Sequence, residues 1–332
     1  MLKQKIILPD ELAKFGSVNN LNEQSIALVK QQCAVWDLPK KNFEALFGIQ
    51  SRTFDFGHFK IIAQFNPERI RSSAAKTDAK TIAERPCFLC IKNLPQEQKG
   101  ILFQNKYLIL TNPFPIFETH LTISSLEHTP QLIENYFVDL LDLSKVLSDF
   151  TVFYNGPQCG ASAPDHFHFQ AGIKGLLPVE EEFDILNKDH SEILFQTENL
   201  KIIAVENYLR RFVAIISGDK KEIEKQFNKL VRFLDANENE EPMFNILCNF
   251  ENGKWRVIIL LREKQRPSHF FRTDKKQIIV GPAAVELGGV LVLPREEDFN
   301  KITKKEIAEI YGEVTINKES FEGFKLNIKN SI

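Results

Sequence analysis

The 332-residue chain has no run of about 18 consecutive apolar residues, so no membrane-spanning helix is expected. It has no block of like charge either. Its 42 Lys and Arg stand against 44 Asp and Glu, a formal net charge of −2, which argues against a dedicated nucleic-acid binder. The opening MLKQKIILPDELAKF has only a short apolar run and no small-residue cleavage signal, so it does not read as a secretory peptide. Cysteine is scarce and odd in number, with five residues at positions 33, 87, 90, 159 and 248. That count fits a reducing, cytoplasmic compartment. Phenylalanine is what the chain has in excess; most of its 28 copies are expected in the core. With 43% hydrophobic and 26% charged residues, the composition is that of an ordinary folded chain, long enough for about two domains.

Apolar positions at helical spacing predict helices over 21–34 and 37–48, the second stopped at Gly48. Alternation around Gly57 predicts a strand pair over 52–65, followed by a polar, basic loop over 66–86. Strands are expected at 106–111 and 119–124, one amphipathic helix over 130–149, and strands at 150–155 and 166–171. The same order then recurs: strands at 199–206 and 211–217, a helix over 219–234, and strands at 243–250 and 254–261 joined by a tight turn. Trp255–Leu261 stands where the first copy has His166–Ala171, so the scaffold is repeated and the histidines are not. Strand-like QIIVG, the segment 281–299 with its Gly288–Gly289 pair, a helix from about 296 and a short terminal helix complete the chain.

The strongest chemical signal is His166-Phe167-His168-Phe169-Gln170, after the loop CGASAPD. On a strand, alternate side chains share a face, so both histidines and Gln170 are expected together with the phenylalanines in a core. A neutral imidazole can attack an α-phosphate in line, and backbone N–H groups from Gly160 to Ser162 can cradle a phosphate. Two buried, hydrogen-bonded histidines in a strand would produce the same pattern. Cys87-Phe88-Leu89-Cys90 is a C-x-x-C pair, of the kind used in zinc and redox sites. No second such pair exists, so a zinc site would need further ligands, for which His128 and His166 are candidates. A pair of buried free thiols is the bland alternative.

These motifs resemble the branch of the histidine-triad superfamily that holds galactose-1-phosphate uridylyltransferases, diadenosine tetraphosphate phosphorylases and GDP-hexose phosphorylases. The resemblance spans about residues 60–300. Ordinary triad hydrolases carry a third His where this chain has Gln170, whereas the transferase branch carries Gln. HFHFQAG, with PVE at 178–180, looks closest to the GDP-hexose phosphorylases. By this resemblance His168 matches the nucleophile and Gln170 the residue that hydrogen-bonds a non-bridging phosphate oxygen. Cys87, Cys90, His128 and His166 match the zinc ligands of uridylyltransferases in order and type. Asn155 and Ser162 match positions upstream of the motif, in a loop one residue longer here. His120 sits at the first His of H-x-x-x-x-P-x-x-H, with Ser125 in place of its proline; a core-facing strand histidine is the alternative. FNPERIRSSAAK resembles the S-P-H-R-x-x-R-P segment of uridylyltransferases: Arg69 aligns with the first arginine, the second falls on Ser72, and Arg71 or Lys76 is the candidate to serve instead; a solvated basic loop is the alternative. Glu286, Gly288 and Gly289 are weaker candidates, since a tight turn explains them equally.

The resemblance implies an α+β fold of duplicated antiparallel-sheet halves with one long helix each, an intramolecular pseudo-dimer. Its expected parts are an N-terminal extension (1–60), a catalytic half (61–195), a degenerate half (196–265) and a C-terminal segment returning toward the site (266–332). The implied activity is nucleotidyl transfer or phosphorolysis of a nucleoside diphosphate sugar or dinucleoside polyphosphate through a nucleotidyl-histidine. The catalytic set is His168, Gln170, Ser162 and His120; Asn155, Gly160, Arg69, Arg71 and Lys76 would bind substrate. Structural zinc, a phosphate or sugar 1-phosphate acceptor, and a monomeric or homodimeric state complete the expectation. The alternatives are a pyrophosphohydrolase of the same superfamily and a catalytically silent nucleotide-sugar binding protein.

Overall fold

The computed structural model describes residues 1–70, 78–234 and 240–331. Its strands are β1 (Gln50–Asp55), β2 (Lys60–Phe65), β3 (Gly100–Phe103), β4 (Tyr107–Thr111), β5 (His120–Ser125), β6 (Phe150–Asn155) and β7 (His168–Ile173). They continue with β8 (Ser191–Gln196), β9 (Leu200–Val205), β10 (Phe212–Ser217), β11 (Phe244–Glu251), β12 (Lys254–Leu261) and β13 (Val290–Leu293). Its longer helices are α1 (Leu21–Val35), α2 (Asp37–Ala45), α3 (Phe137–Val146), α4 (Pro178–Asp189), α5 (Lys220–Val231), α6 (Lys304–Val314) and α7 (Lys318–Ser331). No helix among the described residues is long and apolar enough to cross a membrane.

Ten strands form one antiparallel sheet in the order β3-β4-β5-β7-β6-β11-β12-β10-β9-β8. The second half of that order is the first half reversed. Thus β4-β5-α3-β6-β7 corresponds to β9-β10-α5-β11-β12, and β6 pairs with β11 across the pseudo-dyad, Asn155 opposite Asn245. This is the duplicated α+β architecture expected from the repeat. A separate three-stranded sheet joins the β1–β2 hairpin to β13, which runs parallel to β2.

Strand alternation sorts the large sheet's side chains between two cores. Phe169 and Ala171 of β7, and Val257, Ile259 and Leu261 of β12, pack on the face covered by α3 and α5. Ile258 and Leu260 of β12 enter the opposite core together with β2, β13, α4 and α6. On that same side of β7 the polar Gln170 replaces an aliphatic residue, and there the packing opens into a cavity.

Four sequence expectations need correction. The helix predicted over 130–149 is confined to Phe137–Val146. Residues before it are held by other partners: the Gln131 N–H donates to the Pro164 carbonyl and the Ile133 N–H to the Glu241 carboxylate. The strand predicted from His166 begins at His168, because the chain still turns through Ala163–His166, with the His166 N–H on the Ala163 carbonyl. QIIVG is not a strand; the Ile279 N–H donates to the Asp298 carboxylate rather than to a ladder. The short terminal helix is two helices, α6 and α7, of 11 and 14 residues, each burying an apolar stripe.

Candidate active site and metal centre

A cavity of about 470 Å³ lies over the ends of β5, β6 and β7. Its polar wall is built by His168, Gln170, Asn155, Gly160, Ser162, Arg69 and Glu286. His168 is buried, and its Nδ1–H donates to the His166 carbonyl at 2.8 Å. A carbonyl only accepts, so the ring carries its proton on Nδ1 and leaves a lone pair on Nε2. Burial lowers its pKa to about 4, so the ring is neutral at neutral pH. Its backbone is clamped by Gln131, whose side chain accepts from the His168 N–H at 2.8 Å and donates to the His168 carbonyl at 2.9 Å. That clamp stands in for ladder bonds beyond the last β6–β7 pair, Phe153–Gln170.

Two amides are fixed in orientation by what their oxygens accept. Gln170 Oε1 accepts from His120 Nε2 at 3.0 Å and from Asn112 Nδ2 at 3.3 Å. Asn155 Oδ1 accepts from Asn245 Nδ2 at 2.8 Å and from the Ala284 N–H at 2.9 Å. Each amide therefore turns its NH₂ group away from those partners, and both residues line the cavity. His120 is fully buried and does not line the cavity. Its Nδ1 accepts the Ile116 N–H while Nε2 serves Gln170, and burial lowers its pKa to about 3. With both nitrogens engaged it orients Gln170 and has no free atom to offer a substrate.

Arg69 lines the cavity and donates to the Phe114 carbonyl at 2.7 Å. Glu286 is buried behind it; burial raises its pKa, opposed by its Ala283 N–H bond and by Arg69. Gly160 has φ +96°, and a Cβ there would lie 2.6 Å from Ala283 Cβ. The loop and the 281–289 segment can approach this closely only with glycine. Gly160→Ala is therefore expected to lower stability by about 1–3 kcal/mol and to widen the site, read as a fall in Tm together with lost activity. Arg71 and Lys76 lie outside the described residues.

Beside the cavity, the ligand atoms of Cys87, Cys90, His128 and His166 all fall within 4.8 Å of one another. Cys87 Sγ is 3.3 Å and Cys90 Sγ 3.6 Å from His166 Nδ1; Cys90 Sγ and His166 Nδ1 are each 3.2 Å from His128 Nδ1. Tetrahedral zinc with ordinary bond lengths requires S–N edges of about 3.5 Å and N–N edges of about 3.3 Å. The set fits. His166 Nε2–H donates to the Ser125 carbonyl at 2.9 Å, which leaves Nδ1 bare for a metal, and Asp165 stands near His128 while pairing with Arg85 at 2.6 Å.

Residues 185–332 match the family model described as "GDPGP1-like, C-terminal domain", and residues 28–173 match "Domain of unknown function (DUF4922)". The C-terminal part of the chain is thus similar to GDPGP1-like proteins. Yeast Ap4A phosphorylase in complex with Ap4A has the same fold at TM-score 0.56 and 14% identity, over 87% of this chain and 97% of that one. Its AMP complex gives TM-score 0.53 and 16% identity, over 87% and 96%. No curated protein matches the sequence.

The structure brings His168, Gln170, Asn155, Gly160, Ser162 and Arg69 to one cavity and the four metal candidates to one cluster. His166 and His168, two residues apart, serve different places: one faces the cysteines and the other the cavity. Sequence reasoning did not find Gln131, Asn245 or Arg262. All three are buried and act through bonds between residues distant in the chain, for which no local pattern exists.

Proposed function

We propose that the protein transfers nucleotidyl groups through His168, acting as a phosphorylase or nucleotidyltransferase on a nucleoside diphosphate sugar or a dinucleoside polyphosphate. The observation that carries this reading is the neutral His168, its Nδ1–H tied to a backbone carbonyl and its Nε2 lone pair free, beside two amides with oriented N–H groups. Nε2 attacks the α-phosphorus and a P–N bond forms. The bond from that phosphorus to the bridging oxygen breaks, and the distal part departs as a nucleotide or sugar phosphate with the bond's electron pair. The His166 carbonyl takes up part of the positive charge that develops on the ring. The Gln170 and Asn155 amides, the Ser162 hydroxyl and Arg69 hold the non-bridging oxygens. A phosphate or sugar 1-phosphate oxygen then attacks the same phosphorus, the P–N bond breaks, and His168 returns to its neutral form. Similarity of fold to a phosphorylase crystallised with Ap4A and AMP supports the substrate class.

Cys87, Cys90, His128 and His166 would hold zinc, which supplies a structural tie between the Cys87–Cys90 loop and the turn leading into β7. The domain division we propose follows the same lines: a catalytic half over 61–195, a degenerate half over 196–265, and flanking segments that complete the cavity walls.

Gln170→Ala is expected to slow nucleotidyl-enzyme formation by about 10²-fold without preventing it, since one transition-state hydrogen bond is lost and the nucleophile remains. His120→Phe should act in the same direction but more weakly, because it frees Gln170 to turn without removing it. Rapid-quench measurement of adduct formation checks both. A Gln170→Ala rate equal to wild type would remove Gln170 from the site. The parent reading is tested by incubating the protein with GDP-, UDP- and ADP-sugars and diadenosine tetraphosphate, with and without phosphate. Products that require phosphate support phosphorolysis, products formed equally with water alone mean hydrolysis, and no turnover means a binding protein.

A further inference from the structure

The half that carries no histidine pair contributes a buried polar relay to the site. Arg262, on the chain leaving β12, is buried and uses every guanidinium N–H. Nε donates to the Val314 carbonyl at 2.9 Å, and Nη2 to those of Lys264 at 2.8 Å and Gln265 at 3.1 Å. Nη1 donates to the Pro282 carbonyl at 2.9 Å and to Asn245 Oδ1 at 2.7 Å. Its side-chain partner is thus an amide oxygen, and the other four acceptors are backbone carbonyls. Burial lowers its pKa, but every donor is satisfied. With its oxygen taken, fully buried Asn245 directs Nδ2 to the Cys159 carbonyl at 2.8 Å and to Asn155 Oδ1 at 2.8 Å.

The consequence is a chain of assigned donors. Arg262 can only donate, so Asn245 must present its oxygen to it and its NH₂ to Asn155. Asn155 must then present its oxygen to Asn245 and to the Ala284 N–H, and its own NH₂ is left for the cavity. The same arginine holds the carbonyls of Gln265 and Pro282, next to Arg266 and Ala283 in the cavity wall. We propose that Asn245 and Arg262 are positioning residues for the reaction, holding the Asn155 N–H pair toward the transferring phosphate. The proposal rests on the phosphoryl-transfer reading of His168. It gives the degenerate half a part in the chemistry: β11 meets β6 at the pseudo-dyad, and Asn245 is the residue opposite Asn155 there.

The experiment is a double-mutant cycle on the single-turnover rate of nucleotidyl-enzyme formation, using Asn155→Ala, Asn245→Ala and the pair. If Asn245 acts through Asn155, Asn245→Ala slows the step by about 10- to 100-fold with little change in KM, and the double variant is no slower than Asn155→Ala alone. Rate losses that multiply would overturn the proposal. Asn245→Asp is a second variant, assayed at a temperature where circular dichroism shows it folded. It keeps the shape and the acceptor for Arg262 but offers no N–H, so Asn155 must turn its NH₂ toward the new carboxylate and its oxygen toward the substrate. Its carboxylate faces the Cys159 carbonyl with no N–H to give it, so its Tm should fall; assayed where it remains folded, its rate should drop at least as far as that of Asn245→Ala, and a wild-type rate in the folded variant would also sink the idea.

If wild type forms no adduct with any nucleotide, the reaction reading fails and a second measurement decides the relay. The Asn155 side-chain amide resonances, identified by their loss in Asn155→Ala, should shift when inorganic phosphate or ADP is added to wild type but not to Asn245→Asp. No shift in wild type, or an equal shift in both, overturns the relay.

Discussion

His168→Ala is expected to abolish the nucleotidyl-enzyme, with a loss of turnover on the order of 10⁴-fold or more, the scale seen when a nucleophile that works as part of a unit is removed. The effect is large because the neighbours cannot substitute. His120 has both nitrogens committed, and His166 Nε2 is bonded to the Ser125 carbonyl with Nδ1 among the cysteines. The substitution also removes a hydrogen bond to the His166 carbonyl, so the fold must be checked alongside. The Gln131 clamp acts on the backbone of residue 168 and does not depend on its side chain, which predicts a modest change in Tm and substrate binding that largely survives. His168→Gly leaves the same clamp and opens the space of an imidazole, into which a nucleoside 5′-phosphoimidazolide would bring its own ring. Intact-mass analysis after incubation with the nucleotide panel is the measurement. A nucleoside-monophosphate adduct that persists in His168→Ala would put the nucleophile elsewhere.

Loss of the metal centre should produce the second large effect. The gently purified protein is expected to contain one zinc per chain by elemental analysis, and Cys90→Ser or treatment with a strong chelator should remove it. Structural zinc sites contribute folding energy outright, and removal from a domain of this size is expected to cost at least about 3 kcal/mol, or roughly 5–10 °C in Tm. The damage should reach the nucleophile. His166 lies in the metal cluster through its ring and in the active site through its carbonyl, which fixes the proton on His168 Nδ1. Metal-free protein should therefore form adduct more slowly even at temperatures where it remains folded. Wild type free of zinc, or a Cys90→Ser protein that melts and reacts like wild type, would refute the centre.

The order of elements was legible in the sequence because each follows from a local rule. Period-two alternation marks the strands, helical spacing marks α1 and α5, and the recurrence of strand, strand, helix, strand, strand is visible along the chain. The two motifs with short, fixed spacing, H-x-H-x-Q and C-x-x-C, were legible for the same reason. Local rules failed where backbone groups are satisfied from far away. The segment 130–136 has a helical pattern but spends the Gln131 N–H on the loop before β7, the Ile133 N–H on Glu241 and the Gln131 side chain on the strand ends. QIIVG has a strand's composition but donates to Asp298 instead of to a neighbouring strand.

By itself, the sequence determined that there are two equivalent halves, that only one carries histidines, and which residue types are available for phosphate and metal. Only the tertiary structure decided how those residues divide the work. Alternation assigns His166 and His168 to one face, yet the turn before β7 swings the first toward the cysteines and leaves the second over the cavity. His120 fits a catalytic pattern in sequence, yet its burial and two hydrogen bonds make it the support of Gln170. Arg262 and Asn245 carry no motif at all. Whether a buried donor faces a carbonyl, an amide or a substrate depends on which partners the fold brings within about 3 Å, a relation between distant segments that no local stretch of sequence encodes.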